Sequence, residues 1–407
     1  MPLASQRSPR LSHAQPQTAN REHWPSRGGT RSRPVTAKVL LPGRTAPTVI
    51  TASPWPARQP PPRSRRVLAA PHVAAAPDGS IDWPATLSFR AFLWDNGFGV
   101  ADAMDTAQRG AGLTWDLARQ LIGQSAAAAA ARGTLIACGA GTDQLPDGPH
   151  PLATIIRAYE QQQAVVQSAG AQVILMASRA LAASARSARD YLEVYGSLLK
   201  QADRPVILHW LGEAFDPKLR GYWGSDDFGA AAGTVLDLLA TADGRIDGIK
   251  LSVLDDGAEI SLRRRLPPGV RLYTGDDLHY DTLIKGGPDG HSDALLGVLS
   301  AVTAPAAAAL AALDRGDGDG YDAAIGPAMP LSRLLFEPPT THYKAGIAFL
   351  AWLNGLQEHF AMLGGFQRRR PAGHLIAVFE QAAGAGVFRD PDLAAARMTA
   401  YLAGLAP

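Results

Sequence analysis

The sequence is poor in cysteine and lacks a long apolar run. Its 407 residues include a single cysteine, Cys138, which excludes an internal disulfide and a metal site built from cysteines. No apolar stretch approaches the roughly 20 residues that a membrane-spanning helix needs. A hydrophobic content of 46% with 19% charged residues indicates a soluble globular protein without a membrane partner, which we expect in the cytoplasm.

The body of the chain also lacks an excess of basic residues, although the net charge is +2. Residues 1–66 contain twelve Lys or Arg and one acid, Glu22, which leaves 27 basic and 36 acidic residues in 67–407. An acidic body is a poor ligand for a polyanion, so we expect no nucleic-acid partner.

The N-terminal part of the sequence lacks the aliphatic residues of a core. Residues 1–34 are rich in Arg, Pro, Ser and Gln, which predicts a disordered tail. A solvated tail, a start codon placed too far upstream and a targeting peptide all fit this composition. Residues 35–65 predict a short hairpin around Pro42-Gly43, followed by a stiff proline-rich linker.

From Val67 onward, short apolar runs alternate with helical patterns. Eight runs have the length and composition of buried strands: 67–73, 97–104, 134–138, 171–176, 205–211, 248–253, 270–274 and 293–298. Alternating strands and helices indicate a parallel sheet, and eight units predict a closed (β/α)₈ TIM barrel over residues 66–300. Apolar helical patterns continue through 301–407 and predict a C-terminal helical extension packed on the barrel. This extension contains His342, Tyr343, Lys344 and His359, and we assign most of these residues to intersubunit or barrel-covering contacts.

Lys250 is the most informative residue of the predicted barrel. It is the one lysine in a strand whose other residues are mostly apolar or small. Burying an ammonium group costs several kcal/mol, and the same desolvation lowers the pKa of a lysine towards that of an amine nucleophile. A lysine that snorkels from the strand end, or pairs with Asp247 or Asp255, would fit the composition equally well.

Seven segments of the chain resemble one enzyme superfamily in the right order. They are 69–71 with 78–82, Leu113-Thr114, 136–142, 205–208, Gly248-Ile249-Lys250, Thr274-Gly275-Asp276-Asp277 and Gly286-Gly287. From about residue 66 to 363 the chain resembles the dihydrodipicolinate synthase and N-acetylneuraminate lyase superfamily, and more closely an uncharacterised bacterial branch similar to that synthase. The resemblance implies a (β/α)₈ barrel with C-terminal helices, often tetrameric, that attaches pyruvate or a related oxo acid to Lys250.

The sequence departs from that family at several functional positions. His209 stands where the family has its general-acid tyrosine, so an imidazole would move the proton. The loop after the second strand, 104–110, keeps at most one of two threonines, and Ala177-Ser178-Arg179 replaces Pro-Tyr-Tyr. The family's arginine after the fifth strand lacks a clear counterpart. Carboxylate recognition is therefore rebuilt or absent, with Arg179 or Arg109 available as a bidentate fork.

We therefore predict a class I, Schiff-base lyase that acts on a small 2-oxo acid or related carbonyl compound, without a cofactor, as a homo-oligomer (dimer or tetramer). Lys250 is the predicted nucleophile and His209 its acid-base partner. The predicted substrate-binding residues are Asp105, Thr106, Gly139, Ser178, Arg179, Trp210, Ser252, Asp276 and Asp277.

Two other functions remain open at this stage. A divalent metal held by Asp276, His209 and His291 would make the protein a metal-dependent lyase or isomerase. A non-catalytic binding barrel is the third possibility, and an exposed Lys250 would favour it. Some candidates also have structural alternatives, because Asp276 and Asp277 suit helix caps, Trp210 suits packing, and His72 suits a core histidine.

Overall fold

The barrel predicted from the sequence is confirmed by the computed structural model, which describes residues 35–104 and 108–405. The strands are β1 (Thr36–Val39), β2 (Thr48–Thr51), β3 (Val67–Ala69), β4 (Gly99–Asp102), β5 (Ile136–Ala140), β6 (Gln172–Leu175), β7 (Val206–Leu211), β8 (Ile246–Ser252), β9 (Arg271–Thr274) and β10 (Asp293–Leu296). Eight of them are parallel and close in the order β10-β3-β4-β5-β6-β7-β8-β9, and β1 pairs with β2 in a separate antiparallel hairpin. Each barrel strand overlaps one of the eight runs found in the sequence.

Helices connect the strands and continue after the last of them. The connecting helices are α1 (Trp83–Asp95), α2 (Trp115–Arg132), α3 (Leu152–Ser168), α4 (Arg179–Ser184), α5 (Ala188–Lys200), α6 (Phe228–Thr241), α7 (Asp256–Arg263) and α8 (Tyr280–Lys285). The extension consists of α9 (Thr303–Leu313), α10 (Gly318–Ile325), α11 (Met329–Leu335), α12 (Tyr343–Leu353), α13 (Ala372–Ala385) and α14 (Pro391–Ala403). None of the helices within residues 35–104 and 108–405 has the length and apolar character needed to cross a bilayer.

The barrel strands are buried on both faces, which explains why they read as nearly continuous apolar runs. One set of side chains packs outward against the helices, and a second set fills the barrel interior. The interior set consists of Leu68, Ala70, Ala101, Met104, Ala137, Ile174, Met176, Ile207, Tyr273 and Leu295. Since successive residues of a strand point to opposite faces, the position of any polar residue within a strand decides whether it faces the interior.

A buried ion pair attaches α1 to the barrel. Arg90 and Asp102 are fully buried and form two parallel hydrogen bonds of 2.8 Å, from Nε to Oδ2 and from Nη2 to Oδ1. Arg90 Nη1 also donates to the carbonyl of His72, in the loop after β3. Burial alone would raise the pKa of Asp102, but the charge and hydrogen bonds of Arg90 outweigh it and lower that pKa. The pair thus fixes the loop after the first barrel strand.

The extension closes over the C-terminal end of the barrel through α12. Ten of its eleven residues are buried, as expected for a helix that is apolar on all sides. The hairpin formed by β1 and β2 packs in turn on α13 and α14, and Ser53 N donates to the carbonyl of Phe388. The start of α12 is held at the barrel mouth by Lys344, whose Nζ donates to the carbonyl of Ala70.

Candidate active site

Lys250 points into the barrel. Its Cα pairs with His209 on β7 and with Tyr273 on β9. Its chain neighbours Ile249 and Leu251 belong to the outer core, so strand alternation directs Lys250 to the interior. Only 2% of Lys250 is exposed.

The two carboxylates proposed as surface partners of Lys250 have other roles. Asp247 accepts a hydrogen bond of 2.6 Å from the hydroxyl of Tyr273 and forms an ion pair with Arg271. Asp255 caps α7 by accepting from Ala258 N at 2.8 Å. The side chain of Lys250 therefore does not snorkel to the surface.

A glycine leaves room for the Lys250 side chain. A Cβ atom at Gly275, immediately after β9, would lie 2.1 Å from Ser252 Oγ, 2.6 Å from the carbonyl oxygen of Leu251 and 3.0 Å from Lys250 Cε. Real Cβ atoms do not approach other atoms this closely, so any larger residue would displace the end of β8. The Thr274-Gly275 step is thus required by the packing around the lysine.

His209 lies beside Lys250 in the same part of the interior. It is fully buried, and its Nε2 lies 3.4 Å from Ser252 Oγ. Burial, together with the positive charge of Lys250, lowers the pKa of His209 well below its ordinary value. His209 is accordingly a neutral imidazole at physiological pH. Three of the predicted residues, Lys250, His209 and Ser252, are brought together.

The two predicted aspartates differ in role. Asp276 Oδ1 accepts from the backbone amides of Leu278 and His279, and Oδ2 lies 2.8 Å from His279 Nδ1. Asp276 therefore stabilises a turn. Asp277 is buried and accepts from Val298 N at 2.9 Å; burial raises its pKa to about 7, opposed by the charges of Lys250 and Lys344.

Lys344, at the start of α12, is a functional candidate that the sequence analysis missed. It is 2% exposed, donates a hydrogen bond from Nζ to the carbonyl of Ala70, and lies 4.9 Å from the ring centroid of Tyr343. The available signal was the one that identified Lys250, namely a lone lysine in an otherwise apolar element.

A cavity of about 680 Å³ opens above the strands, lined by the loops that follow β4 to β7 and by the start of α12. Met176 and Lys344 line it, whereas Lys250 and His209 do not. Met176 also belongs to the apolar barrel interior, so its side chain borders both spaces. One wall is formed by two packed segments, because a Cβ atom at Gly112 would lie 2.8 Å from the carbonyl carbon of Leu363.

Two predicted substrate-binding residues lie in the cavity wall and are already engaged. Ser178 caps α4 through Leu181 N, at 3.0 Å, and its hydroxyl lies 2.6 Å from Thr142 Oγ1. Arg179 forms an ion pair with Asp216. Both side chains border the cavity, so they shape it while serving internal contacts.

Two other predicted residues serve packing rather than the cavity. A Cβ atom at Gly139 would lie 2.5 Å from the carbonyl oxygen of Ala103 and 2.7 Å from Met176 Sδ, so this position needs a glycine for close approach. Trp210 belongs to the outer core, where its ring stacks on Phe228 at 5.0 Å between centroids. The structure therefore shows Trp210 in its packing role.

The predicted substrate-binding residues Asp105 and Thr106 lie outside the described residues.

The residues proposed to hold a metal are not brought together. His291 precedes β10 and so lies at the N-terminal end of the barrel, where the charges of Arg65 and Arg263 act on it. Asp276 and His209 lie at the opposite end. Within residues 35–104 and 108–405, no three His, Cys, Asp or Glu side chains are grouped in a way that would hold a metal ion.

His72 is a core histidine, as its structural alternative predicted. It is buried, and its Nε2 lies 2.6 Å from Gln357 Oε1.

Comparison with known proteins places the chain in a family. The sequence profile described as "Protein of unknown function (DUF993)" matches residues 43–405, and the chain belongs to this family. No curated protein sequence matches it.

Solved structures of dihydrodipicolinate synthase relatives share the fold. YagE, a prophage protein of that synthase family from E. coli K12 in complex with pyruvate, is 16% identical, with a TM-score of 0.62 over 78% of this chain and 98% of YagE. The chloride-inhibited synthase from Acinetobacter baumannii, complexed with pyruvate, is 16% identical, with a TM-score of 0.59 over 80% of this chain and all of the other. The synthase from Agrobacterium tumefaciens is 16% identical, with a TM-score of 0.60 over 79% and 98%. The resemblance predicted from the sequence is thereby confirmed at the level of the fold.

Proposed function

We propose that this member of the DUF993 family is a class I aldolase-type lyase that forms an imine between Lys250 and a small 2-oxo acid or related carbonyl compound. The observation that carries the proposal is the position of the Lys250 amine, buried inside a closed barrel beside the neutral imidazole of His209. A lysine in this position contributes little to packing and costs free energy to desolvate. A chemical role explains why it is there.

The chemistry begins with the neutral amine. Burial disfavours the ammonium form of a lysine, and the positive charge of a nearby lysine acts in the same direction. The amine nitrogen attacks the carbonyl carbon of the substrate and loses one proton, and the carbonyl oxygen takes up one proton from solvent to give a neutral carbinolamine. Loss of water then gives a protonated imine, which accepts the electron pair released when a bond at the neighbouring carbon breaks.

His209 is the proposed proton carrier for these steps. As a neutral imidazole it accepts the proton that the attacking nitrogen loses and returns it to the hydroxyl group that leaves as water. The hydroxyl of Ser252 lies 3.4 Å from His209 Nε2. We propose that it relays the proton once the two atoms move slightly closer together. Asp277 sets the local charge, because its ionised form stabilises the ammonium form of Lys250.

Substrate access to Lys250 is proposed to involve a movement of Met176. The cavity and the barrel interior share Met176, and we propose that a rotamer change of this residue admits the carbonyl end of the substrate to Lys250. Methionine is unbranched and adopts alternative conformations at low cost. The two related structures whose descriptions include pyruvate, from E. coli and A. baumannii, support a 2-oxo acid as the first substrate to test.

Borohydride trapping tests the proposal. The full chain is incubated with a panel of 2-oxo acids and sugar aldehydes, reduced and weighed as the intact protein. We expect a covalent adduct that Lys250→Ala abolishes and that Lys200→Ala, a change to an exposed lysine, leaves in place. An adduct that survives in Lys250→Ala would contradict the proposal, and so would a chelator-sensitive turnover without any adduct.

A further inference from the structure

Three cationic side chains are found among the described residues that line the cavity: Arg109, Arg179 and Lys344. The two arginines were the carboxylate forks expected from the sequence, and both are occupied by protein carboxylates. Arg109 Nε donates to Asp143 at 2.9 Å, and Arg179 pairs with Asp216. A substrate anion would have to displace an internal ion pair to reach either guanidinium.

Arg109 is held most firmly. Its other two nitrogens donate to Gln162 Oε1 at 2.7 Å and to the carbonyl of Ala103 at 2.9 Å. All three nitrogens of the guanidinium therefore already donate hydrogen bonds within the protein. Gln162 in turn donates to Asp143 Oδ1 at 2.8 Å. This closed network holds the loop after β5 in position, and its positive charge is already balanced.

Lys344 has a different set of contacts. Its ammonium group has three N–H donors, and the described structure gives it one hydrogen bond, to the carbonyl of Ala70. Within residues 35–104 and 108–405 it forms no ion pair with a carboxylate. A buried charge whose partners are one carbonyl oxygen and one aromatic ring is costly, and Lys344 borders the cavity, where a ligand can supply further acceptors.

The surroundings of Lys344 place it within reach of the proposed chemistry. Lys250 and Lys344 both act on the charge of Asp277, so the two amines lie within electrostatic range of one carboxyl group. Burial lowers the pKa of Lys344 well below its ordinary value, Asp277 opposes this, and the positive charge of Lys250 reinforces it. A bound anion would act in the same direction as Asp277 and favour the ammonium form of Lys344.

We propose that Lys344 binds the carboxylate of the substrate, so that the chain takes 2-oxo acids in preference to neutral carbonyl compounds. This inference rests on the proposed lyase function. Carboxylate recognition would then come from the C-terminal extension instead of from an arginine at the barrel rim. The residue is a specificity determinant rather than the nucleophile.

Binding without covalent chemistry tests the inference. The Lys250→Ala protein is titrated with pyruvate, its neutral analogue methyl pyruvate and inorganic phosphate, and thermal unfolding reports binding, because a ligand stabilises the state that it binds. We expect pyruvate to raise the unfolding temperature more than methyl pyruvate. Adding Lys344→Met should weaken pyruvate binding about 10- to 100-fold, the range for losing a charged hydrogen-bond partner, and leave methyl pyruvate unaffected.

Two further variants keep the result unambiguous. Lys344→Gln retains a donor for the carbonyl of Ala70 and removes the charge, so a merely structural lysine would be rescued by Gln, whereas a carboxylate-binding lysine would not. Lys285→Met, which removes an exposed lysine paired with Asp322, should leave the affinity for pyruvate unchanged.

The outcomes separate this inference from the proposed function. Equal affinity for pyruvate with and without Lys344, no binding of pyruvate at all, or stabilisation by phosphate but not by pyruvate would each overturn the carboxylate assignment. Failure of the lyase proposal would appear elsewhere, as the absence of a borohydride adduct at Lys250 in the wild-type chain.

Discussion

Lys250 and His209 are directly paired residues of neighbouring parallel strands, β8 and β7, and both side chains point into the barrel. Because they lie on adjacent strands, the proposed nucleophile and the proposed proton carrier need no loop movement to meet.

Replacing His209 by Asn should slow turnover by about 10²- to 10⁴-fold, the usual contribution of a positioned acid or base. Lys250 should still be labelled by borohydride after long incubation, since its amine remains. Because burial lowers the pKa of His209 well below its ordinary value, the wild-type rate should show no histidine ionisation between about pH 6 and 8. The exposed His359, changed to Asn, is the matched control. Full turnover in His209→Asn would exclude the role.

Asp277→Asn should change the pH dependence of adduct formation. The pKa of Asp277 is raised to about 7, so its negative charge appears as pH rises through 7 and then stabilises the ammonium form of Lys250. Removing that charge should let the amine react at a pH about one unit lower. The change in adduct yield near pH 7, which reports the ionisation of Asp277, should also disappear. The amount of adduct trapped by borohydride after a fixed time, from about pH 5 to 9, measures the pH dependence. Asp256→Asn, a change to an exposed residue, is the control. An unchanged profile would contradict the assignment.

The same ionisation affects folding with a defined sign. A carboxyl whose pKa is higher in the folded than in the unfolded protein stabilises the fold at low pH, and this contribution is lost as pH rises through the folded value. Asp277→Asn should therefore gain stability relative to the wild type as the pH rises from about 4 to about 7 and keep that gain above pH 7, and denaturant unfolding at several pH values measures it.

Gly275→Ala should abolish the adduct and lower the free energy of unfolding by about 1–3 kcal/mol, as overpacking does. The added methyl group would collide with Ser252 and Leu251 and crowd the Lys250 side chain. Gly233→Ala in α6 is the matched control, because nothing lies within 4 Å of its Cβ position, and a helical alanine is favoured over glycine. An active Gly275→Ala protein would show that the end of β8 tolerates displacement.

Asp102→Asn should destabilise the fold by about 3–5 kcal/mol, because it leaves the buried guanidinium of Arg90 without its counter-charge. Asp116→Asn is the control, since its ion pair with Arg119 is exposed and such pairs contribute at most about 1 kcal/mol. Chemical denaturation of both variants measures the difference. Equal stabilities would mean that the buried pair is dispensable.

The sequence predicted the barrel and Lys250 for the same physical reason. A strand buried on both faces excludes charge, so eight apolar runs mark the strands and a lysine within one of them stands out. Alternation within β7 also separates His209, which faces inward with Ile207, from Trp210, which faces outward with Leu208; that signal was available and would have removed Trp210 from the predicted site.

Other features depend on contacts between distant parts of the chain. The order Asp276-Asp277 does not reveal which carboxylate turns inward, because periodicity ends with the strand. The metal hypothesis combined His291 with Asp276 and His209, although His291 precedes the eighth barrel strand and the C-terminal ends of the strands form the opposite end of the barrel. Lys344 comes from a helix that reaches the site only through the tertiary fold. The predicted homo-oligomer stays a prediction.

The close backbone approach of Gly112 to Leu363 has a consequence for how the molecule can move. The loop after β4 and the segment Leu363–Arg369 touch without intervening side chains, so moving either segment outward alone breaks this close packing. A motion that widens the entrance therefore either carries both segments together or separates them. Stiffening that junction, for example by a cross-link, should therefore slow ligand entry and exit without altering the affinity of the resting pocket.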